Sequence, residues 1–410
     1  MKLRSPVYFL FCILVAFAGL SCNRGIEPGV LRFWHFWSEP AQRALMDTLI
    51  QGYLAENPGA EIHVEELSWS NGKTKLMIGF NSKTAPDVLE LGSDWVPQFA
   101  ASGVLLDMTS VADLQQALHS GPSYALEPGL YEGKIFSAPW LLDTRVMFVN
   151  DSLVAAAGAQ PSDSLLHDWN AMMTLGQRIQ SAGAKGIGVN GSDAHRLYKK
   201  ILPYMWSNGG EPFNIKGEPT LDRPENVAAV QFYVDQMKAG ILETQKNLDD
   251  LFKRGQLGIH YSGSWLLTPL AKAPFKWHTE PVPGNNGNPG ISFGGGEYLA
   301  INKNSAMKEE AIRFVKYITR PDVQLRFAKA VNIFPADTMM QKDEFYRNRS
   351  QGSVFIAQLS KARMTPMVPK WLDAEAIIED EVSRVLYGRA TAAEAMKSAQ
   401  ARVVALLREP

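Results

Sequence analysis

Tryptophan beside a carboxylate is the pairing in this chain that could do chemistry. Three short stretches carry an indole next to polar groups: Trp37-Ser38-Glu39, Ser93-Asp94-Trp95 and Ser262-Gly263-Ser264-Trp265. An indole face packs against the C–H patches of a pyranose ring with fixed geometry. An ionised carboxylate accepts from neighbouring hydroxyls, and charge-assisted hydrogen bonds are the stronger kind. The two together are equipment for holding a sugar. The wider candidate set adds the rings Trp69, Trp140, Trp206 and Trp371, and the polar residues Asp143, Arg145 and Glu297. Each has a plainer reading. A lone tryptophan is usually a packing residue, and Trp371 could staple the start of a helix. Asp94 and Asp143 could cap turns, and Arg145 could pair for structure alone.

Other chemistries leave little trace. There is no HExxH, GxxxxGK(S/T) or GxGxxG after a strand. The seven histidines stand singly, none at helical metal spacing. Two cysteines cannot build a four-cysteine zinc site. With 41 basic against 42 acidic residues, the chain has no excess of positive charge for phosphate backbones, so no nucleic-acid partner is expected. Paired carboxylates keep an enzyme reading open. An exported glycosidase or lyase using Asp94 with Asp143 or Glu297 would need the two groups about 5–9.5 Å apart.

The elements that must position these residues alternate between strand and helix. Residues 30–37 read as a buried strand, and Ser38 as the cap of a helix with Pro40 in its first turn. Leu45, Leu49 and Tyr53 line one face of that helix, and Asn57-Pro58-Gly59 stops it. Residues 61–67 alternate as a second strand, completing a βαβ unit and implying a parallel sheet. Further strands are expected at 87–91, 257–261 and 298–301, and helices at 226–238, 308–319, 374–387 and 391–407. The stretch 281–296, rich in glycine and proline, reads as a linker or hinge approach. Open α/β sheets bind ligands outside the carboxyl ends of their strands. The three tryptophan-bearing stretches are such strand exits.

The chain begins with an address. Lys2 and Arg4 precede an apolar run from Val7 to Ala18, too short to span a membrane. Ala18-Gly19-Leu20-Ser21-Cys22 resembles a bacterial lipoprotein box, with Gly19 and Leu20 departing from the usual residues. Residues 1–21 are therefore read as a signal peptide, Cys22 as the lipidated first mature residue, and 22–29 as a tether. Cleavage leaves 389 of the 410 residues, no second cysteine and, with Lys2 and Arg4 gone, a net charge moved from −1 to −3.

Five blocks in order then resemble one family. The first is Ala85-Pro86-Asp87-Val88-Leu89-Glu90-Leu91 with Phe99-Ala100-Ala101-Ser102-Gly103-Val104-Leu105-Leu106-Asp107-Met108. The second is Tyr131-Glu132-Gly133-Lys134-Ile135-Phe136-Ser137-Ala138-Pro139-Trp140, continuing to Asp143-Thr144-Arg145 and Phe148-Val149-Asn150. The third is Phe252-Lys253-Arg254-Gly255-Gln256-Leu257-Gly258-Ile259, ending in Ser262-Gly263-Ser264-Trp265. The fourth is Gly294-Gly295-Gly296-Glu297-Tyr298-Leu299-Ala300-Ile301 with Glu310-Ala311-Ile312-Arg313-Phe314, and the fifth Ile333-Phe334-Pro335-Ala336. Together they resemble the extracellular solute-binding proteins of bacterial ABC importers, in the sugar-binding group that includes maltose-binding protein.

The resemblance implies a periplasmic-binding-protein-like fold: two α/β lobes joined by a hinge, with a ligand cleft between them. Lobe 1 would comprise 30–143 plus 292–335, and lobe 2 144–291 plus 336–410. By position it implies ligand contacts at Trp37, Ser38, Glu39, Asp94, Asp143, Trp265, Gly295, Gly296, Glu297 and Trp371. Trp69, Trp95, Trp140, Arg145 and Trp206 are candidates from residue type and strand exits. The expected protein is an exported, lipid-anchored, monomeric receptor without cofactor. It would capture a mono- or oligosaccharide and hand it to the transmembrane subunits of an ABC permease. The same clamp for a phosphate ester or polyamine is the other binding reading.

Overall fold

The computed structural model describes residues 29–409 apart from 70, 112–122, 163–164, 192, 194, 349 and 369. The signal segment, Cys22 and all but the last residue of the tether lie outside the described residues. The elements used below are, in chain order, β1 (Val30–His35), α1 (Pro40–Glu56), β2 (Glu61–Glu66), β3 (Val88–Gly92), β4 (Ser137–Asn150), β5 (Lys185–Asn190), α2 (Tyr198–Ser207), β6 (Gly240–Glu243), α3 (Gln245–Lys253), β7 (Leu257–Gly263), β8 (Trp277–Glu280), β9 (Gly294–Ile301), β10 (Phe334–Pro335), α4 (Trp371–Leu386) and α5 (Ala392–Arg408).

The βαβ unit forms as its pattern demands. β1 and β2 pair in parallel, Phe33 opposite Val64, and β1 also pairs in parallel with β3. Met46, Leu49, Ile50 and Tyr53 bury one face of α1. The cap of α1 is Glu39 rather than Ser38: its side chain and Gln42 close a reciprocal capping box, and Pro40 takes the first turn. Phe33 meets Phe314 edge-on at 5.2 Å, and Tyr53 meets the same ring at 5.1 Å, tying α1 and the helix Lys308–Ile318 to the sheet. Burial of one such side chain contributes about 1.5–3 kcal/mol.

The sheet is mixed rather than parallel. Its strand order is β2-β1-β3-β9-β4-β7-β5-β6, with β8 and β10 also paired to β4. β9 runs antiparallel to both β3 and β4, so the glycine triple 294–296 is sheet, not linker. β4 is fourteen residues long and buried throughout. Its first half, Ser137 to Thr144, pairs with β9, and its second half, from Arg145 to Val149, pairs with β7. One strand thus belongs to two sheet regions, and the polar residues Asp143, Thr144 and Arg145 sit where it passes from one to the other.

The carboxyl-terminal helices start close to where their apolar stripes predict. Thr391 caps α5 in a capping box with Glu394, and α4 begins at Trp371, three residues before the expected start. The expected helix at 226–238 is Pro224–Asp235, followed by a turn of 3₁₀ helix. Among the described residues no helix is long and apolar enough to cross a membrane.

Candidate ligand-binding cleft

A cavity of about 660 Å³ opens between the two sheet regions. That volume lies within the range of small-molecule sites. One wall comes from the exits of β1, β2 and β3, with Trp37, Ser38, Glu39, Trp69, Asp94 and Trp95. The other comes from the start of α2 and the exit of β7, with Lys199, Ser264 and Trp265. The floor is the crossing of β4 and β9, with Asp143, Arg145, Phe293, Gly295, Gly296 and Glu297.

Rings and cations alternate along this cleft. The ammonium of Lys199 lies 6.0 Å from the centre of the Trp69 ring and 5.3 Å from that of Phe293. The guanidinium of Arg145 lies 4.8 Å from the centre of Phe293 and 5.5 Å from that of Trp265. The order is therefore Trp69, Lys199, Phe293, Arg145, Trp265. Both cations have carboxylate company. Arg145 Nη1 is 2.9 Å from Asp143 Oδ2, and Lys199 Nζ is 3.9 Å from Asp94 Oδ1. Asp94 Oδ2 also accepts from the Tyr198 hydroxyl at 2.7 Å, a bond that joins the two walls.

Glu297 is the floor group left over. Its Oε2 is buried without a hydrogen-bond partner among the described residues, although the rest of the side chain is partly exposed. Burial, then the charges of Asp143 and Glu90, hold its carboxyl well above the usual range, against the pull of Lys199 and Arg145. Glu90 lies beneath the floor. It accepts from Phe36 N at 2.7 Å, Trp37 Nε1 at 2.8 Å and Trp140 Nε1 at 3.1 Å. Burial pushes it up to about 7 despite those three donors.

The candidate indoles divide sharply. Trp265 is 37% exposed and presents its ring to the cavity. Trp69 is half-buried, with one face stacked on Phe36 at 4.1 Å. Trp95 and Trp37 reach the lining but are nearly buried, Trp95 against Phe36 and Trp69, and Trp37 edge-on to Trp140 and Phe327. Three candidates do not line the cavity at all. Trp140 is fully buried on Glu90, Trp206 is buried in α2, and Trp371 packs against Tyr198 and Phe213 at the start of α4. For these three the packing reading holds: their indoles face the core side of their elements.

Residue reading overlooked the contribution of α2. His195, Arg196, Lys199 and Lys200 all line the cavity. They follow β5, a parallel strand whose sequence Lys-Gly-Ile-Gly-Val-Asn carries two glycines and so gives a weak strand pattern. Its exit was a ligand position by the same rule that found the others. His195 Nδ1 contacts Glu375 of α4, and its backbone N–H donates to Glu379 at 2.9 Å, which ties His195 to α4.

Comparison with known proteins agrees with this architecture. The model of the bacterial extracellular solute-binding protein family matches residues 37–325. The GacH receptor of Streptomyces glaucescens, crystallised unliganded and with acarbose, superposes with a TM-score of 0.84 at 22% identity, covering 93% of this chain and 99% of that one. Maltose-bound MalE3 of T. maritima gives a TM-score of 0.81 at 22% identity over 92% and 99% of the two chains. The diacetylchitobiose binding protein DasA of Streptomyces coelicolor is 22% identical over 334 residues, 77% of this chain and 75% of its own. At such identities the structural likeness establishes the two-lobed fold. The family match spans most of the chain, which therefore belongs to the bacterial extracellular solute-binding proteins, the non-catalytic receptors of ABC importers.

Proposed function

We propose that this receptor captures a mono- or oligosaccharide and delivers it to the transmembrane subunits of an ABC permease. The observation that carries the sugar reading is the pair of partly exposed indoles, Trp69 and Trp265, in one cavity with Asp94, Asp143 and Glu297. Indole faces suit the C–H faces of a sugar, and carboxylates suit its hydroxyl rim. GacH in complex with acarbose, MalE3 bound to maltose and DasA as a diacetylchitobiose binding protein support the same class. The ligand contacts are Trp37, Ser38, Glu39, Trp69, Asp94, Trp95, Asp143, Arg145, Trp265, Gly295, Gly296 and Glu297. Lobe 1 comprises 30–143 plus 292–335 and lobe 2 144–291 plus 336–410, closing as hinged bodies on the ligand. The mature protein is a monomer held at the membrane by lipid on Cys22.

Thermal melting across a panel of neutral, acidic and amino sugars, inorganic phosphate and spermidine tests the ligand class. A ligand that binds only the folded form raises Tm in proportion to RT ln(1 + [L]/Kd). Stabilisation by a sugar supports the reading, whereas stabilisation by phosphate or spermidine alone refutes it. Anchoring has its own test. Cys22→Ser should move the protein from the membrane to the soluble fraction, and an unchanged distribution would remove the lipid.

A further inference from the structure

Trp265 is a surface indole, yet its orientation is fixed on several sides. Its Nε1 donates to Asp249 Oδ2 at 3.0 Å. The opposite oxygen of that carboxylate accepts from Gln245 Nε2 at 2.7 Å, Ser262 Oγ at 2.9 Å and His260 Nε2 at 2.6 Å. Four donors engage one carboxylate, close to all it can accept. The three that meet this oxygen come from two elements. Gln245 lies one turn before Asp249 on α3, while His260 and Ser262 alternate on β7 and so share a face of the strand. The ring itself lies over the α-carbon of Gly263, where any Cβ would collide with it.

We propose that Asp249 is the positioning residue for the Trp265 platform, with the buried imidazole of His260 holding the carboxylate from behind. The sugar reading above supplies only the purpose of the platform; the geometry of the relay stands without it. His260 is fully buried, and burial lowers its pKa below the ordinary value; with its proton on Nε2 the ring donates to Asp249. Burial opposes ionisation of Asp249, but its donors, led by His260, outweigh this and keep the group a carboxylate. A tryptophan has only two side-chain torsions to freeze. One bond at Nε1 and one glycine beneath the ring suffice to present the same face to each incoming ligand.

The test needs no ligand. In the protein labelled with ¹⁵N-tryptophan, the Trp265 indole N–H resonance is identified by its loss in Trp265→Phe. In Asp249→Ala that resonance should move upfield and its protection from hydrogen exchange should fall at least about tenfold, while the other indole signals hold their positions. His260→Phe should shift it in the same direction by less. An unchanged Trp265 resonance with unchanged protection in Asp249→Ala overturns the proposal. Should that variant lose all its indole signals through unfolding, Asp249→Asn decides, because an amide keeps the volume but cannot accept four donors. A selective Trp265 shift there upholds the relay, and its absence overturns it. Failure of every sugar to bind would remove the purpose of the platform without touching this result.

Discussion

An indole that binds and an indole that packs differ in what meets their nitrogen and their two faces. Trp265 has its N–H tied to Asp249 at the cleft wall and keeps more than a third of its surface open. Trp140 has its N–H tied to Glu90 beneath the floor and keeps none. Trp265→Ala should therefore cost affinity, about 1.5–3 kcal/mol or roughly 10–150-fold in Kd, with Tm of the unliganded protein nearly unchanged. Trp140→Ala should do the reverse in kind, costing about 3–5 kcal/mol of stability in a denaturant titration. Glu90 sets a pH dependence whose sign is fixed. Its carboxyl is raised from 4.5 to about 7 in the folded state, so the folded chain binds more protons than the unfolded one between those values. The contribution of Glu90 to stability is therefore full below about pH 4.5 and is lost as pH rises through about 7. Glu90→Gln should flatten that part of the stability–pH curve measured by urea titration, and an unchanged slope would place the proton elsewhere.

The elements explain which of these residues could be read in advance. Strand exits after β1, β3 and β7 were legible because apolar runs end there in tryptophan and polar residues, and all three exits line the cleft. The exit of β5 was not, because glycine at 186 and 188 hides the strand pattern, and Lys199 went with it. Trp206 and Trp371 were misplaced for a related reason: residue type marks an indole, but only the packed helix decides which face it occupies. The direction of β9 was also beyond pattern reading, since a parallel and an antiparallel central strand carry similar apolar runs. Its glycines have a legible use in hindsight. A Cβ at Gly295 would stand 2.5 Å from Asp143 Oδ1 and 2.8 Å from the Phe293 ring. Gly295→Ala should displace the Asp143–Arg145 pair, cost about 1–3 kcal/mol of stability and weaken ligand binding with it. Binding as tight as that of the unsubstituted protein would show that the pair is not part of the site.

At the scale of the whole molecule, the hinge closure proposed above would rest on few groups. β4 runs through both sheet regions, so the halves are covalently continuous at the floor and separate only at the walls. The Tyr198–Asp94 hydrogen bond joins those walls directly. Tyr198→Phe keeps the ring that packs on Trp371 and removes the bond. It should shift the closed-to-open ratio by about 1 kcal/mol, roughly fivefold, and raise the apparent Kd accordingly. Small-angle scattering should show a larger radius for the unliganded variant, and equal radii would mean that the bond does not hold the walls. The lobed architecture was legible only through the family that the five sequence blocks resemble, whereas this wall-to-wall bond was not, because its partners lie 104 residues apart. Titration calorimetry of the purified protein with maltotriose, N,N′-diacetylchitobiose, cellobiose, inorganic phosphate and spermidine bears most directly on the cleft as a sugar site. Saturable one-to-one binding of at least one oligosaccharide, weakened roughly tenfold or more in both Trp69→Ala and Trp265→Ala, is the expected result. Binding of phosphate or spermidine with no response to any oligosaccharide, or oligosaccharide binding indifferent to both indoles, would contradict it.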